Sequence, residues 1–217
     1  MMTLKISNYK KILNINNGCV YELVVENPYE YYSIGRKIID NDDSIVVYDG
    51  DIKDNDKYIL CVSNLFDIDP NTKKNLSSTY KKLVINCNND EVNRMVSEIN
   101  QKTFELFELI SQEFDSSITY DTDVQLLDLL TIYNFKYNNS SNLFLNNFVS
   151  FIKASLQNTN YKLIIVFNLF DFINTNDFEL LKKEFALLDL CLLNVCAKKS
   201  QFLFDDRIII DKDLCEI

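Results

Sequence analysis

The sequence predicts a mixed α/β fold, and three observations support that prediction. Hydrophobic residues make up 47% of the 217 residues and charged residues 25%, which is typical of a folded globular chain. Short apolar runs towards both ends of the chain have the length and composition of buried strands. Between them, apolar residues recur at helical spacing over a long stretch. This order indicates a sheet with a helical segment inserted into it.

The first third of the chain predicts strands, a helix and a further strand. Asn16-Asn17-Gly18 separates two apolar runs, which is a strong hairpin signal. Asn27 and Pro28 are residue types preferred at the cap and the first position of a helix. The predicted elements are a strand in residues 1–9, a hairpin ending in a strand at 19–25, a helix from 27 to 40, an aspartate-rich loop at 40–56 and a strand at 58–62.

The middle of the chain predicts helices. Residues 89–114 begin with an acidic turn, which favours the helix dipole, and carry an apolar stripe without Gly or Pro. A helix of this length is typical of a projecting arm or a coiled partner helix. Shorter helices are predicted at 124–133 and 143–156. Residues 86–157 therefore form a predicted helical leg, and residues 1–85 and 158–217 a predicted α/β head.

The α/β pattern returns after residue 158. Residues 161–168 have the continuous apolar composition of a strand buried on both faces. A helix is predicted at 178–185, with cap residues at 174–177, and further strands at 188–195 and 207–210. The strands at 58–62 and 161–168 both lead into the tetrapeptide Asn-Leu-Phe-Asp. We interpret them as two parallel strands of one sheet, with the helical leg inserted between them.

Composition excludes several kinds of catalytic site. The chain has no histidine, so Ser–His, Cys–His and zinc–histidine sites cannot form. Its three glycines, Gly18, Gly35 and Gly50, are isolated. A phosphate-binding loop needs clustered glycines followed by Lys and a hydroxyl, whereas the segment after the first internal strand, residues 26–30, is bulky and acidic (ENPYE). An ATPase or GTPase of the usual kind is therefore excluded.

The cysteines and apolar runs indicate the compartment. The six cysteines are scattered without a CxxC pair, which excludes a zinc ribbon or a thioredoxin-like site. Cys61 and Cys191 lie in apolar runs, where cysteine behaves as a small hydrophobe. The longest apolar runs fall far short of the roughly 18 residues that cross a bilayer, and residues 1–9 lack a signal-peptide pattern. We expect reduced thiols, no membrane segment and a cytoplasmic location.

Two groups of carboxylates are candidate metal ligands. Asp67 and Asp171 follow apolar strands, where an enzyme can hold Mg²⁺, although aspartate also favours strand-ending turns. A denser acidic block, without Lys or Arg from residue 103 to 135, contains Glu113, Asp115, Asp121, Asp123 and Asp128. Ca²⁺ relieves the repulsion within such a block by taking six or more oxygen ligands. A calcium site and a solvated acidic helix face are both open interpretations.

Positive charge is segregated, although the net charge is −10. Residues 72–84 contain no acid and include Lys73, Lys74, Lys81 and Lys82. Two further acid-free clusters are formed by Lys5, Lys10 and Lys11, and by Lys198 and Lys199. Lysines among polar residues are suited to contacting phosphates without reading bases. A DNA-contacting surface and an ordinary solvated loop are both open for residues 72–84.

Four segments of the chain carry a similarity to a known family. They are residues 17–27 (NGCVYELVVEN), the acidic Tyr120-Asp121 segment with 126–130 (LLDLL), residues 162–168 (KLIIVFN) and the closing residues 207–213 (RIIIDKD). With these segments in this order, the sequence resembles the Csn2 family of type II-A CRISPR systems over nearly the whole chain.

The resemblance implies a head that is related to the P-loop fold but lacks the phosphate loop, with a helical leg inserted into it. It also implies that four subunits form a ring whose basic hole holds double-stranded DNA ends, without nuclease or ATPase activity. The lining is expected to include Lys73, Lys74, Lys81, Lys82, Lys198 and Lys199. Calcium is expected at Glu113, Asp115, Asp121, Asp123 and Asp128. The expected partners are the CRISPR adaptation integrase and the effector nuclease.

Two other functions are open on the sequence. The chain could be a metal-dependent nuclease or phosphatase that uses Asp67 or Asp171. It could also be a scaffold that docks the adaptation proteins without touching DNA. Turnover that depends on Mg²⁺ or Mn²⁺ would identify the first, and co-purification that survives nuclease treatment would identify the second.

Overall fold

The computed structural model describes residues 2–6, 9–10, 12–43, 45–49, 52–53, 55–113, 119–121, 123–138, 143–157 and 159–217. The strands in chain order are β1 (Met2–Ile6), β2 (Ile12–Ile15), β3 (Val20–Val25), β4 (Ile45–Asp49), β5 (Ile52–Lys53), β6 (Ile59–Val62), β7 (Leu163–Phe167), β8 (Cys191–Cys196) and β9 (Asp206–Ile210). The α-helices are α1 (Pro28–Ile39), α2 (Asn55–Tyr58), α3 (Lys73–Asn86), α4 (Asp90–Ser111), α5 (Leu126–Ile132), α6 (Phe144–Ser155) and α7 (Thr175–Leu187). A short 3₁₀ helix, Leu169–Asp171, follows β7.

The central element is a five-stranded sheet with the order β6-β7-β8-β3-β9, in which every pair is parallel. The prediction of mixed α/β architecture is confirmed. The predicted parallel pairing of the strands at 58–62 and 161–168 is also confirmed, because Val62 lies opposite Val166 in the register of β6 and β7. β3 and β8 are buried along their whole length, as expected of strands covered on both faces.

The two faces of this sheet are packed by different elements. Because side chains alternate along a strand, Ile164 and Ile165 enter different cores. Ile165 packs with apolar residues of β1, β2 and α1 on one face. Ile164 packs on the other face with Phe148 of α6 and Phe178 of α7, both fully enclosed. The sheet therefore has a protein layer on each side.

The predicted hairpin around Gly18 is wrong. β2 pairs antiparallel with β1, whereas β3 pairs with β8 and β9 in the parallel sheet. The turn therefore carries the chain from one sheet to the other. Gly18 has a φ of +80°, and its N–H donates to the Leu190 carbonyl at 3.0 Å. The reason is burial: all six β3 residues are buried and all but Glu22 are apolar or aromatic, so the strand packs best in the centre of a parallel sheet.

The predicted loop at 40–56 is also wrong. It contains β4 and β5, which extend an antiparallel sheet of order β2-β1-β4-β5. Met2 lies opposite Asp49 in the pairing of β1 with β4. The β-branched and aromatic residues 45–48 have high strand propensity. The many aspartates around these residues led to the loop prediction, because aspartate is typical of turns and also occurs where strands end.

The predicted helices at 27–40, 89–114, 124–133, 143–156 and 178–185 are confirmed as α1, α4, α5, α6 and α7, with ends shifted by a few residues. α3 was not predicted as a helix. Its residues were open to interpretation as a solvated loop, which is wrong, because Lys73–Asn86 form nearly four helical turns. No helix of the described residues has both the length and the hydropathy that spanning a membrane requires.

The chain divides into two compact units. The first comprises Met1–Asp69 with Ser140–Ile217, and the second comprises Pro70–Asn139. The second unit holds α3, α4 and α5 and coincides with the predicted leg, residues 86–157, only over 86–139. α6 belongs to the first unit because Phe148 and Ile152 are fully buried in the core beneath the parallel sheet.

Candidate nucleic-acid interface

The four lysines of residues 72–84 lie on α3, and all four side chains are exposed. None of them has an ion-pair partner among the described residues. At 100° per residue, Lys74 and Lys81 lie on nearly the same side of the helix, about 10 Å apart along its axis. Lys73 and Lys82 lie about 90° to either side of that line, so the four lysines spread over the exposed half of the helix. We call this exposed half the basic face of α3, and it is uncompensated.

The opposite face of α3 is anchored within the second unit. Tyr80 is buried, and its hydroxyl donates to the Phe135 carbonyl at 2.5 Å. The hydroxyls of Thr79 and Tyr137 lie 2.8 Å apart, and Asn71 forms two hydrogen bonds with the Tyr137 backbone. These contacts fix the orientation of α3 about its own axis, so the lysines lie on its exposed side.

The first turn of α3 has an unusual charge. Lys73 and Lys74 occupy the first two positions after the Thr72 cap, and no acid lies in this turn. Cations at a helix N-terminus face the positive end of the dipole, which costs about 0.3–1 kcal/mol. A phosphate would reverse that cost, because an anion is favoured by both the lysines and the helix end. The local arrangement suits an anionic partner.

Lys198 and Lys199 lie in the first unit, in the connection from β8 to β9, and both are exposed. Buried polar contacts hold this connection. Arg207 Nη2 donates to the carbonyls of Ser200 and Phe202 at 3.1 Å each, and the Ser200 N–H donates to Glu22 Oε1 at 3.3 Å. The six predicted DNA-contacting lysines are therefore divided between the two units, four on α3 and two on this connection.

The connection after β3 cannot serve as a phosphate loop. It consists of Glu26 and Asn27, after which α1 begins at Pro28. The Asn27 side chain accepts the N–H groups of Tyr29 and Glu30 at 3.0 and 3.2 Å. The amides that would bind a phosphate at this helix end are therefore already used by the cap.

The strand-end aspartates are both exposed and close tight turns. The Asp67 N–H donates to the Asn64 carbonyl at 3.4 Å, and the Asp171 N–H donates to the Asn168 carbonyl at 3.1 Å. Within the described residues, no three His, Cys, Asp or Glu side chains are grouped so that they could hold a metal ion. These positions follow the turn preference of aspartate.

The acidic block has local hydrogen bonds at three of its members. Asp121 Oδ1 accepts the Asp123 N–H at 3.0 Å, and Asp123 Oδ1 accepts Gln125 Nε2 at 2.9 Å. Asp128 Oδ2 accepts the Gln125 N–H at 2.9 Å and caps α5. Glu113 is exposed, and Asp115 lies outside the described residues. The described carboxylates do not by themselves form a calcium site.

Sequence reasoning missed how exposed the apolar side of α4 is. Met95, Ile99 and Leu106 recur at spacings of four and seven residues on one side and are 43–53% exposed. With Glu98, Lys102 and Thr103 they line a groove of about 400 Å³. The opposite edge of α4 is held by Asn100, which exchanges two hydrogen bonds with the Val124 backbone. α4 thus carries an exposed apolar stripe within its own unit.

Fold and charge together define a class of protein: an α/β chain with a parallel sheet, without the clustered glycines of a phosphate loop, and with a second, helical unit that bears a basic helix. The chain belongs to the Cas_Csn2 family of CRISPR-associated proteins, whose sequence model matches residues 38–214. No match was found among curated proteins. Among solved structures, a putative ABC transporter ATP-binding protein from Pyrococcus furiosus aligns over 96% of each chain at 9% sequence identity and a TM-score of 0.46.

Proposed function

We propose that this chain acts in CRISPR spacer acquisition as a non-catalytic, tetrameric ring that holds double-stranded DNA ends without reading their sequence. The observation that carries this proposal is the uncompensated basic face of α3 on a chain of net charge −10. Four exposed lysines without an acidic partner create a local positive potential even on a chain of that overall charge, and such a surface attracts anions. Because the chain belongs to a CRISPR-associated family, we infer that this anion is DNA. The adaptation integrase and the effector nuclease are the proposed partners.

The experiment is a comparison of linear and closed circular duplex of the same sequence. Binding is measured by fluorescence anisotropy for short linear duplexes and by competition with relaxed circles, at several salt concentrations with Ca²⁺ present. We expect linear DNA to compete far better than circular DNA, with log affinity falling linearly as log salt rises. Equal competition by circles would contradict end binding, and absence of binding at low salt would contradict DNA holding altogether.

A second candidate function is supported by the apolar stripe of α4. An exposed stripe at coiled-coil spacing is suited to packing against another helix. If that helix belongs to an adaptation protein, the chain is a scaffold, and its complexes would survive nuclease treatment while the purified chain has no affinity for DNA. If the helix belongs to another copy, the stripe contributes to the proposed ring. The metal-dependent enzyme would be identified by a separate assay, as nuclease or phosphatase turnover with Mg²⁺ or Mn²⁺ that is lost in D67N or D171N.

Replacing two residues of the α4 stripe by aspartate is expected to dissociate the assembly. In I99D/L106D, two charges would have to be buried at a helix contact, so the tetramer should fall to smaller species. Light scattering should give four times the 25.4 kDa chain mass for the wild type and a lower multiple for the variant. N93D/S97D adds the same charge on the opposite side of α4 and should keep the wild-type mass. A wild type that is already monomeric would contradict the ring.

Calcium binding by residues 113–128 is a separate prediction. If the block binds Ca²⁺ only when folded, a concentration of one hundred times Kd stabilises the protein by about 2.7 kcal/mol. Thermal melting should therefore shift upwards on addition of Ca²⁺ and return on chelation, and D121N/D123N should remove the shift. D90N/E91Q removes two exposed acids of α4 outside the block and should keep it. An unchanged melting temperature with millimolar Ca²⁺ would contradict the prediction.

A further inference from the structure

A cavity of about 320 Å³ lies in the first unit at the carboxyl edge of the parallel sheet. Its walls come from the segment after β7, the end of β8 and the β8–β9 connection. Open parallel sheets bind ligands at this edge, because loops from neighbouring strands diverge there. The volume is at the lower end of the range for small-ligand sites. All of its lining residues belong to the first unit, whereas the lysines of α3 belong to the second.

An unpartnered buried amide lies in the wall of this cavity. Asn194 in β8 is 1% exposed, and its Oδ1 accepts the Leu169 N–H at 2.9 Å. A backbone N–H can only donate, so this bond determines which amide atom is oxygen and which is nitrogen. Asn194 Nδ2 is left without a hydrogen-bond partner among the described residues. A buried donor without a partner is costly and is rare in native proteins, so a ligand acceptor is the natural complement.

The charges around the cavity favour an anion. Lys198 and Lys199 line it, are exposed and have no ion-pair partner within the described part of the chain. The carboxylate of Glu22 is fully buried and is ion-paired with Arg207, so it is already compensated. Asp171 is the remaining acid of the lining. Two free cations therefore face one free carboxylate.

The thiol of the cavity does not alter this balance. Burial and the neighbouring Glu22 carboxylate raise the pKa of the Cys196 thiol well above its ordinary value. The thiol therefore remains neutral at physiological pH and adds no negative charge. Phe170 and Phe202 supply an apolar side to the cavity. A ligand that combines an anionic group with an apolar or planar body matches both sides.

We propose that this cavity binds a phosphate monoester, with Asn194 Nδ2 donating to a phosphate oxygen and Lys198 and Lys199 neutralising its charge. A phosphate monoester carries about −1.5 to −2 at pH 7 and three strong acceptor oxygens, which suits two ammonium groups and an amide better than a carboxylate does. The group can come from a free mononucleotide or from the 5′ end of a DNA strand. The second source rests on the proposed function of holding DNA ends.

The test has two arms with the same variants. The first measures, by calorimetry on the full chain, the binding of 2′-deoxyadenosine 5′-monophosphate against 2′-deoxyadenosine. The second compares duplexes of one sequence that carry 5′-phosphate or 5′-hydroxyl ends. We expect a preference of at least about tenfold for the phosphorylated form in one or both arms, the equivalent of one charge-assisted contact. Binding of the mononucleotide identifies the free source, and a preference confined to duplexes identifies the DNA end.

Variants of the lining residues test whether the preference for the phosphorylated ligand arises in this cavity. N194D keeps an acceptor for the Leu169 N–H but removes the donor, and K198Q/K199Q changes only exposed side chains, so at least the second should fold normally. Both should lose the preference, while K183Q/K212Q, which removes two other exposed lysines, should retain it. No preference in either arm, or a preference unchanged in K198Q/K199Q, overturns the proposal. Equal binding of both duplexes would leave DNA holding intact, whereas mononucleotide binding without duplex binding would overturn only the proposed function.

Discussion

Charge reversal at Lys74 and Lys81 is expected to weaken the binding of linear duplex DNA by roughly tenfold or more, with a fall of about two in the slope of log affinity against log salt. Each lysine that contacts a phosphate releases about one counterion, so losing two contacts changes the slope by about two. The affinity of K74E/K81E should fall by more than the loss of two lysine–phosphate contacts would cause. Each glutamate also repels the phosphate that its lysine attracted. The loss should be similar for every DNA sequence, since phosphate contacts read no bases.

The matched control is K183E/K212E, which makes the same change in net charge at two exposed lysines outside the cluster. If DNA responds only to the total charge of the chain, both double variants should lose affinity equally, and the assignment to α3 would be wrong. If α3 lies in the interface, the control should keep nearly the wild-type slope. K73E and K82E, at the two edges of the basic face, would then show how wide the contact is.

Replacement of Arg207 by alanine is expected to lower the free energy of unfolding by about 3–5 kcal/mol. Arg207 lies directly opposite Glu22 in the register of β9 and β3, and the two side chains form an ion pair. The Glu22 side chain is fully buried, so R207A would leave a carboxylate in the sheet without its cation. The same arginine holds the β8–β9 connection through Ser200 and Phe202 and stacks over Phe204, with 5.0 Å between the guanidinium and the ring centre.

Denaturant unfolding followed by circular dichroism measures the effect. Arg94 offers the control, because it also pairs with a glutamate, Glu98, but both side chains are more than half exposed. R94A should cost no more than about 0.5 kcal/mol. The double replacement E22L/R207L should be far more stable than R207A, since it removes the buried charge together with its partner. Equal stability of R207A and R94A would contradict this account of the ion pair.

Local patterns were enough to predict most elements. The Asn27–Pro28 cap signal predicted α1, and the acidic opening at Asn89 predicted α4. The repeated Asn-Leu-Phe-Asp after residues 58–62 and 161–168 led to the correct parallel pairing of β6 and β7. These signals are carried by neighbours in the chain, through capping, dipole and side-chain periodicity, so a sequence contains them in full.

Partner choice between strands could not be predicted in the same way. The turn at Gly18 has a strong hairpin composition, but β3 gains more by joining β8 and β9, where all six of its residues are buried. That gain depends on segments more than 160 residues away in the sequence. The lysine-rich residues of α3 were ambiguous for a related reason, since the helix is stabilised by contacts of Thr79 and Tyr80 with residues 135–137.

For the candidate sites too, part of the prediction came from the sequence alone and part required the tertiary structure. The absence of histidine excludes, from the sequence alone, the sites that need an imidazole, because a missing residue type is missing in every fold. The six lysines could also be named from their acid-free surroundings. The tertiary structure alone decided that four of them lie on the exposed half of one helix, and that Asn194 lies buried in the wall of a cavity that the other two also line. Burial and the lack of a hydrogen-bond partner arise only when distant segments pack together, and no local pattern contains them.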